Sequence, residues 1–245
     1  MKPWPPEGYR WYREACEMFD YPARAFGEPL KALISSADTV LDIGCGIGVA
    51  SRMIAPWCKR IIALDSDGNA LRQLEAEALR CGITNIETAN DSWPEGKLIQ
   101  TDIIIALHVC RAMRKFDNLK LVFERAKRGG FIASNASCSL SEEPFGELNA
   151  ALGIAHNPCP CANGCYIKGV LDTLGAHVTC AKVVYDFGQP LDTLDEALRF
   201  IRWQIGADES AAQTVEKYVD RYIVRFGNRY LVPITRQSCG ITFLK

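Results

Sequence analysis

Val40-Leu41-Asp42-Ile43-Gly44-Cys45-Gly46-Ile47-Gly48 is the stretch that decides the fold. An apolar strand run carries an acidic residue near its end and is followed by three glycines at alternate positions. Such a loop lets the main chain turn sharply after a buried strand and come close to a ligand, because no side chain intervenes. A pyrophosphate-binding loop follows GxGxxG, its third small residue packing helix on strand while the helix N-terminus faces phosphate. Here that third position falls on Val49. GxGxG preceded by Asp fits better, and a carboxylate at Asp42 repels a pyrophosphate but suits a cationic group. The loop therefore reads as a phosphate-free nucleoside site.

Working outward, Arg60-Ile61-Ile62-Ala63-Leu64-Asp65 reads as a second buried strand ending in a carboxylate 21 residues beyond Gly44. In a doubly wound sheet the end of the second strand lies beside the glycine loop, where an Asp accepts from ribose hydroxyls. The alternative for any such Asp is a cap on the following helix. A third strand, Asn85-Ile86-Glu87, leads into Thr88-Ala89-Asn90-Asp91-Ser92-Trp93. A fourth, Asp102 to Leu107, leads to His108-Val109-Cys110, and Phe131 to Ser134 supplies a fifth.

This ordered set resembles the class I, Rossmann-like S-adenosylmethionine-dependent methyltransferases. The resemblance covers about residues 39 to 139. It implies S-adenosyl-L-methionine as cofactor, with Asp42, Gly44, Cys45, Gly46 and Gly48 around its methionine part and Asp65 and Ser66 at its ribose. It further implies Asn90, Asp91, Ser92 and Trp93 at the adenine, with Asp91 accepting from the amino group. Ala106 and Leu107 follow at the end of the fourth strand, and Tyr12 comes from an N-terminal segment that closes over the cofactor. His108 lies where such folds face the transferable methyl. With an ordinary pKa near 6.5 it can take a proton from an acceptor oxygen or nitrogen; otherwise it is a structural histidine at a strand end.

From Thr39 to about Ser139, short apolar strands alternate with helical stretches such as Ala70 to Cys81 and Asn118 to Arg128, the βαβ pattern of a parallel sheet. Ser141 to Gly164 breaks this pattern. Tyr166 to Leu174 then reads as a helix and Val178 to Tyr185 as a sixth strand. Tyr230 to Ile234 and Gly240 to Leu244 are candidates for the last one. The fold class is α/β: a doubly wound, seven-stranded, mostly parallel sheet with an antiparallel last strand. Residues 1–38, rich in Tyr, Trp and Phe, are expected as a helical lid, and residues 39–245 as the Rossmann-like domain.

Two amphipathic helices are expected between strands six and seven, within residues 191–228, as a possible substrate cap. The first opens on a Thr193–Glu196 capping box. The second runs from about Ser210 to Phe226, with Gly227 at its end.

The composition excludes some functions. With 245 residues, 48% of them hydrophobic, and 28 basic against 29 acidic side chains, the chain is an ordinary globular one with no basic excess for general nucleic-acid binding. No apolar run approaches the roughly 20 residues of a membrane span, and no apolar signal core opens the chain. A cytoplasmic location and a small-molecule partner are expected; oligomeric state stays open.

Strand four does not run into the Asn-Pro-Pro-Tyr or Asp-Pro-Pro-Tyr sequence of families that methylate planar amino groups, nor into a Pro-Cys pair. Most of the 11 cysteines read as buried thiols, with Cys45, Cys58, Cys81, Cys110 and Cys180 in or beside core segments. The cluster His156, Cys159, Cys161 and Cys165 can ligate zinc, act as a redox-sensitive loop, or carry no site; no metal ligands are assigned. Two other functions remain open: a non-catalytic S-adenosylmethionine- or metal-binding regulator, and a nicotinamide-dependent oxidoreductase.

Overall fold

The structure is a computed structural model that describes residues 5–95, 99–109, 112–135, 144–154 and 164–245. The chain divides into two compact units, one formed by Met1–Tyr21, Cys138–Cys159 and Tyr185–Arg236, the other by Pro22–Ser137, Pro160–Val184 and Gln237–Lys245. The first 38 residues thus contribute a helix to each: α1 (Gly8–Phe19) to the former and α2 (Ala23–Leu33) to the latter.

The larger unit is built on a parallel sheet. In chain order it contains β1 (Thr39–Ile43), α3 (Val49–Ile54), β2 (Arg60–Asp65), α4 (Gly68–Arg80), β3 (Ile86–Asn90), β4 (Thr101–Leu107), α5 (Phe116–Arg125) and β5 (Ala126–Asn135). β1 pairs in parallel with both β2 and β4, β2 with β3, and β4 with β5. Leu41, Ile43, Ile62, Leu64, Ile104 and Ile132 join one buried cluster with Leu119 and Val122 of α5. Strands covered on both faces read as nearly continuous apolar runs, which is why the sequence marks them so clearly.

After α6 (Gly146–Ala151) and α7 (Gly164–Thr173), β6 (His177–Asp186) follows. The last strand, β10 (Thr235–Leu244), enters between β5 and β6, giving the order β3-β2-β1-β4-β5-β10-β6. It runs antiparallel to β5, with Ile241 opposite Ile132 and Gly240 opposite Ala133. The expected seven-stranded, mostly parallel sheet with an antiparallel last strand is what forms. The chain order reverses about β1, flanked by β2 and β4, and the carboxyl ends of strands at such a switch point are where open α/β sheets bind ligands.

Some boundaries differ from expectation. The helix expected to reach Arg128 stops at Arg125, because Ala126 already pairs with Thr101 on β4. Lys127 and Arg128 extend instead toward Asp102, at 3.4 Å, and Asp38, at 2.5 Å. The short α6 forms in a stretch with no expected element.

The smaller unit holds α1, α6, β7 (Gln189–Leu191), α8 (Leu194–Ile205), α9 (Ala212–Glu216), α10 (Val219–Tyr222), β8 (Val224–Phe226) and β9 (Arg229–Val232). Trp11, Phe145, Leu148, Leu191, Phe200, Ile201 and Val232 are among its core residues, with the Trp11 and Phe200 rings edge to face at 5.5 Å.

The second long helix expected here does not form. It breaks into α9 and α10 and ends in β8, because Phe226 pairs with Arg229 across the two-residue turn Gly227–Asn228. Gly227, at φ 60°, serves a hairpin and not a helix end. Of Tyr230 to Ile234, one candidate for the last strand of the main sheet, Tyr230 to Val232 lie in this small sheet of order β7-β9-β8. The capping box at α8 forms in half: Thr193 Oγ1 accepts from the Glu196 amide at 3.1 Å, while the Glu196 side chain turns to the Asp192 amide and the Trp11 indole. Among the described residues no helix is long and apolar enough to cross a membrane.

Candidate functional site

At the carboxyl end of β1 the chain turns through Gly44, Gly46 and Gly48, at φ 67°, 55° and 71°. All three lie in the left-handed region that L side chains avoid, but for different surroundings. A Cβ on Gly44 would lie 2.7 Å from Val109 Cγ2, and one on Gly48 2.1 Å from Leu74 Cδ1. Those two glycines let the loop pack against the segment after β4 and against α4. A Cβ on Gly46 would meet nothing within 4 Å. The middle of the loop thus presents bare main chain to open space.

Asp65, at the end of β2, organises this loop. Its Oδ2 accepts from the Gly46 amide at 2.7 Å and its Oδ1 from the Asp67 amide at 2.9 Å. The Gly44 and Cys45 amides both donate to Leu64 O, at 2.7 and 3.1 Å. A carboxylate at a strand end can simply cap the next helix; here that task falls to Asp67, which accepts from the Asn69 and Ala70 amides. Asp65 is left half-buried, facing the loop. Ser66 beside it is exposed.

Asp42 sits beneath the loop, 1% exposed, with Ser51 Oγ donating to its Oδ2 at 2.6 Å. Burial, reinforced by the charge of Asp65 and only partly offset by the Ser51 hydroxyl, pushes its pKa up to about 7. Cys45 is half-buried, and burial together with Asp42 and Asp65 raises its thiol pKa far above the ordinary value. It is therefore no thiolate nucleophile.

Asn90 lies opposite Asp65 in the β2–β3 register, and its Nδ2 donates to Asp65 O at 3.1 Å. The Asp91 amide donates to the same oxygen at 3.1 Å, and Asp91 Oδ1 accepts from the Ser92 amide. Trp93 packs against the core cluster, its indole N–H buried with no hydrogen-bond partner among the described residues. Ala106 and Leu107 close β4, opposite Ile132 and Ala133. His108 then turns through a left-handed conformation, φ 57°, its amide held by Ala133 O at 2.9 Å. Its Nε2 lies 3.5 Å from Ser238 Oγ, and its ring lies 6.1 Å from that of Phe26.

No protein-family model matches this chain, and no curated protein matches it. Solved structures do. The YcgJ protein of Bacillus subtilis superposes with a TM-score of 0.60 at 14% identity, over 91% of this chain and 98% of that one. A candidate methyltransferase of Bacillus halodurans gives 0.58 at 13% identity, over 91% and 99%. Magnesium protoporphyrin IX methyltransferase of Synechocystis, solved with bound S-adenosylhomocysteine, gives 0.53 at 13% identity, over 71% and 79%. The fold is that of the class I, Rossmann-like methyltransferases.

Within this methyltransferase fold the structure brings together the glycine loop, Asp65, Asn90, Asp91, Ser92 and Trp93 at the ends of β1, β2 and β3. Contact between Gly44 and Val109 brings the end of β4 to the same loop. Tyr12 belongs to the smaller unit, where its ring meets Phe187 edge to face at 5.9 Å.

His156, Cys159 and Cys161 lie outside the described residues, as does Cys110. Among the described residues no group of three or more His, Cys, Asp or Glu could hold a metal. The expectation of buried thiols holds for Cys58 and fails for Cys81 and Cys180, which are exposed. Cys81 directly follows α4 on its solvent side, and most of β6 around Cys180 is not covered.

Ser51, Val109 and Ser238 are contributors that sequence reasoning did not find. Ser238 meets His108 across 130 residues, a pairing no local pattern announces.

Proposed function

We propose that this protein is an S-adenosylmethionine-dependent methyltransferase acting on a small-molecule acceptor. The observation that carries the reading is the open main chain at Gly46, held by the carboxylate of Asp65. A loop that exposes peptide groups next to a strand-end carboxylate suits a ribose whose linkage carries no negative charge. The six-residue α3 offers little helix dipole for a pyrophosphate.

When bound, the cofactor supplies an electrophilic methyl group on a sulfonium. The chain's own groups bind and orient. Asp65 already has one amide on each oxygen, which fixes the plane of its carboxylate and leaves lone pairs for ribose hydroxyls. Asp91 accepts from the adenine amino group, and Asn90, Ser92 and Trp93 line the ring; Ser66, Ala106 and Leu107 border the nucleoside.

Gly44 to Gly48 give the methionine part room against the main chain. Asp42 acts from below the loop through its charge, and a cation placed above it favours its ionised form. His108, held by Ala133, takes the proton that an acceptor hydroxyl or amine gives up.

Calorimetry with S-adenosylhomocysteine and with NAD tests the reading. S-adenosylhomocysteine is expected to bind with micromolar affinity and NAD not to bind; tight NAD binding without S-adenosylhomocysteine binding overturns it.

A further inference from the structure

Arg236, the second residue of β10, is a half-buried cation without an anionic partner among the described residues. Ion pairs and hydrogen bonds occupy other arginines of the smaller unit: Arg10 meets Glu14, Asp192 and Glu196, and Arg229 meets Glu14 and Asp192. Among the described residues no carboxylate pairs with Arg236. Its surroundings are phenolic. The Phe187 amide donates to Ile234 O at 2.8 Å and Thr235 Oγ1 to Asp186 at 3.0 Å, an antiparallel register that sets Arg236 beside Tyr185. Tyr185 stacks on Tyr21, centroids 5.5 Å apart and planes at 19°, and Tyr21 packs on Phe187 at 4.8 Å.

These phenols do not replace a counter-ion. Burial, with Tyr12 and Tyr185 nearby, holds the Tyr21 hydroxyl well above its ordinary pKa, so it stays neutral. Desolvation drags the Arg236 guanidinium itself downward, only partly offset by Tyr185 and Tyr21. Enclosing a charge without a partner is costly, yet Arg236 as a residue is half-buried and not sealed. A charge enclosed but reachable is one that an incoming anion can complete.

We propose that Arg236, beside Tyr185 and the Tyr21 ring stacked on it, is the binding residue for the carboxylate of a planar aromatic acid. One planar guanidinium matches one carboxylate through paired N–H···O bonds, whereas a dianionic phosphate calls for more than one cation. The aromatic rings of Tyr21, Tyr185 and Phe187 suit a flat apolar body. This carboxylate subsite does not rest on the methyltransferase reading.

Benzoate and benzamide, equal in shape and different in charge, are the probes. The wild-type protein is expected to bind benzoate at least tenfold more tightly than benzamide at millimolar concentrations, by NMR titration. Arg236→Met is expected to remove that preference while keeping a cooperative thermal transition and unchanged S-adenosylhomocysteine affinity; Arg236→Lys, which keeps the charge but not the fork, is expected to retain part of it. Equal binding of the two probes, binding of neither, or a preference that survives in both variants overturns the proposal. Absence of S-adenosylhomocysteine binding to the wild type overturns the methyltransferase reading alone, and leaves the subsite to the benzoate result.

Discussion

The amide of Gly46 donates to the carboxylate of Asp65 over 2.7 Å, tying the open middle of the glycine loop to the end of the neighbouring strand. Asp65 therefore has two tasks: it shapes the loop, and it presents the oxygens proposed to hold the ribose. Asp65→Ala removes both and is expected to weaken S-adenosylhomocysteine binding at least tenfold, about 1.4 kcal/mol. Asp65→Asn keeps one acceptor and should fall between wild type and Ala. Calorimetric affinities of the three proteins check this; an unchanged Kd for Asp65→Ala would remove Asp65 from the site.

Gly46 and Gly48 share a left-handed backbone but not an environment, and alanine at each should separate fold from binding. At Gly48 the new methyl would lie 2.1 Å from Leu74, which is fully buried. Backbone strain and overpacking together are expected to cost about 3 kcal/mol of stability. At Gly46 the methyl enters open space, so only the backbone term remains, about 1 kcal/mol, but the methyl stands where the ligand is proposed to pass. Urea unfolding should rank Gly48→Ala as the less stable, whereas Gly46→Ala should lose S-adenosylhomocysteine affinity out of proportion to its stability.

Asp42 links the loop to pH. Its pKa, pushed from 3.8 to about 7 by burial, is higher folded than unfolded. The folded chain keeps a proton that the unfolded chain gives up, so this group's contribution is fully present below about pH 4 and is lost as pH rises to about 7. At 1.36 kcal/mol per unit the loss is on the order of 4 kcal/mol. Asn at this position accepts from Ser51 and never ionises. Asp42→Asn is expected to match wild type near pH 4 and to exceed it in stability above pH 7; parallel stability curves across that range would refute the buried, proton-holding carboxyl.

The parallel sheet and the glycine loop were legible because their causes are local. Strands covered on both faces must be apolar throughout, and a turn against Val109 and Leu74 must be glycine. What escaped depended on partners distant in sequence or on which way a strand faces. Asp42 reads as a carboxylate before a loop, but neither Val40 nor Ile43 tells whether it points at the ligand or lies sealed beside Ser51. Gly227 after an apolar helical stripe reads as a helix end, yet Arg229–Val232 offers a strand to pair with, and the stripe is cut short into a hairpin. Ser238 has no mark that would connect it with His108, and Arg236 is an ordinary arginine until the structure encloses it.

Glu196 carries the opposite pH signature to Asp42 in the smaller unit. Burial alone would raise its pKa. The Trp11 indole N–H at 2.8 Å, the Asp192 amide at 2.9 Å and the Arg10 guanidinium outweigh burial and hold it below the ordinary glutamate value. A carboxyl whose pKa is lower folded than unfolded stabilises the fold above the unfolded pKa, and that contribution is lost as pH falls through the folded one. Glu196→Gln presents one acceptor oxygen to donors that now share two, and turns an N–H toward one of them. With Arg10 a third exposed and its pairing accordingly screened, the expected loss at pH 7 is about 2 kcal/mol. The difference from wild type should shrink as pH falls below the ordinary glutamate range and through the lower pKa of the folded carboxyl. Urea unfolding followed by tryptophan fluorescence reads both, since Trp11 reports on the same contact; a gap that stayed constant down to the acid transition would show that packing, and not the carboxylate charge, holds Trp11 in place.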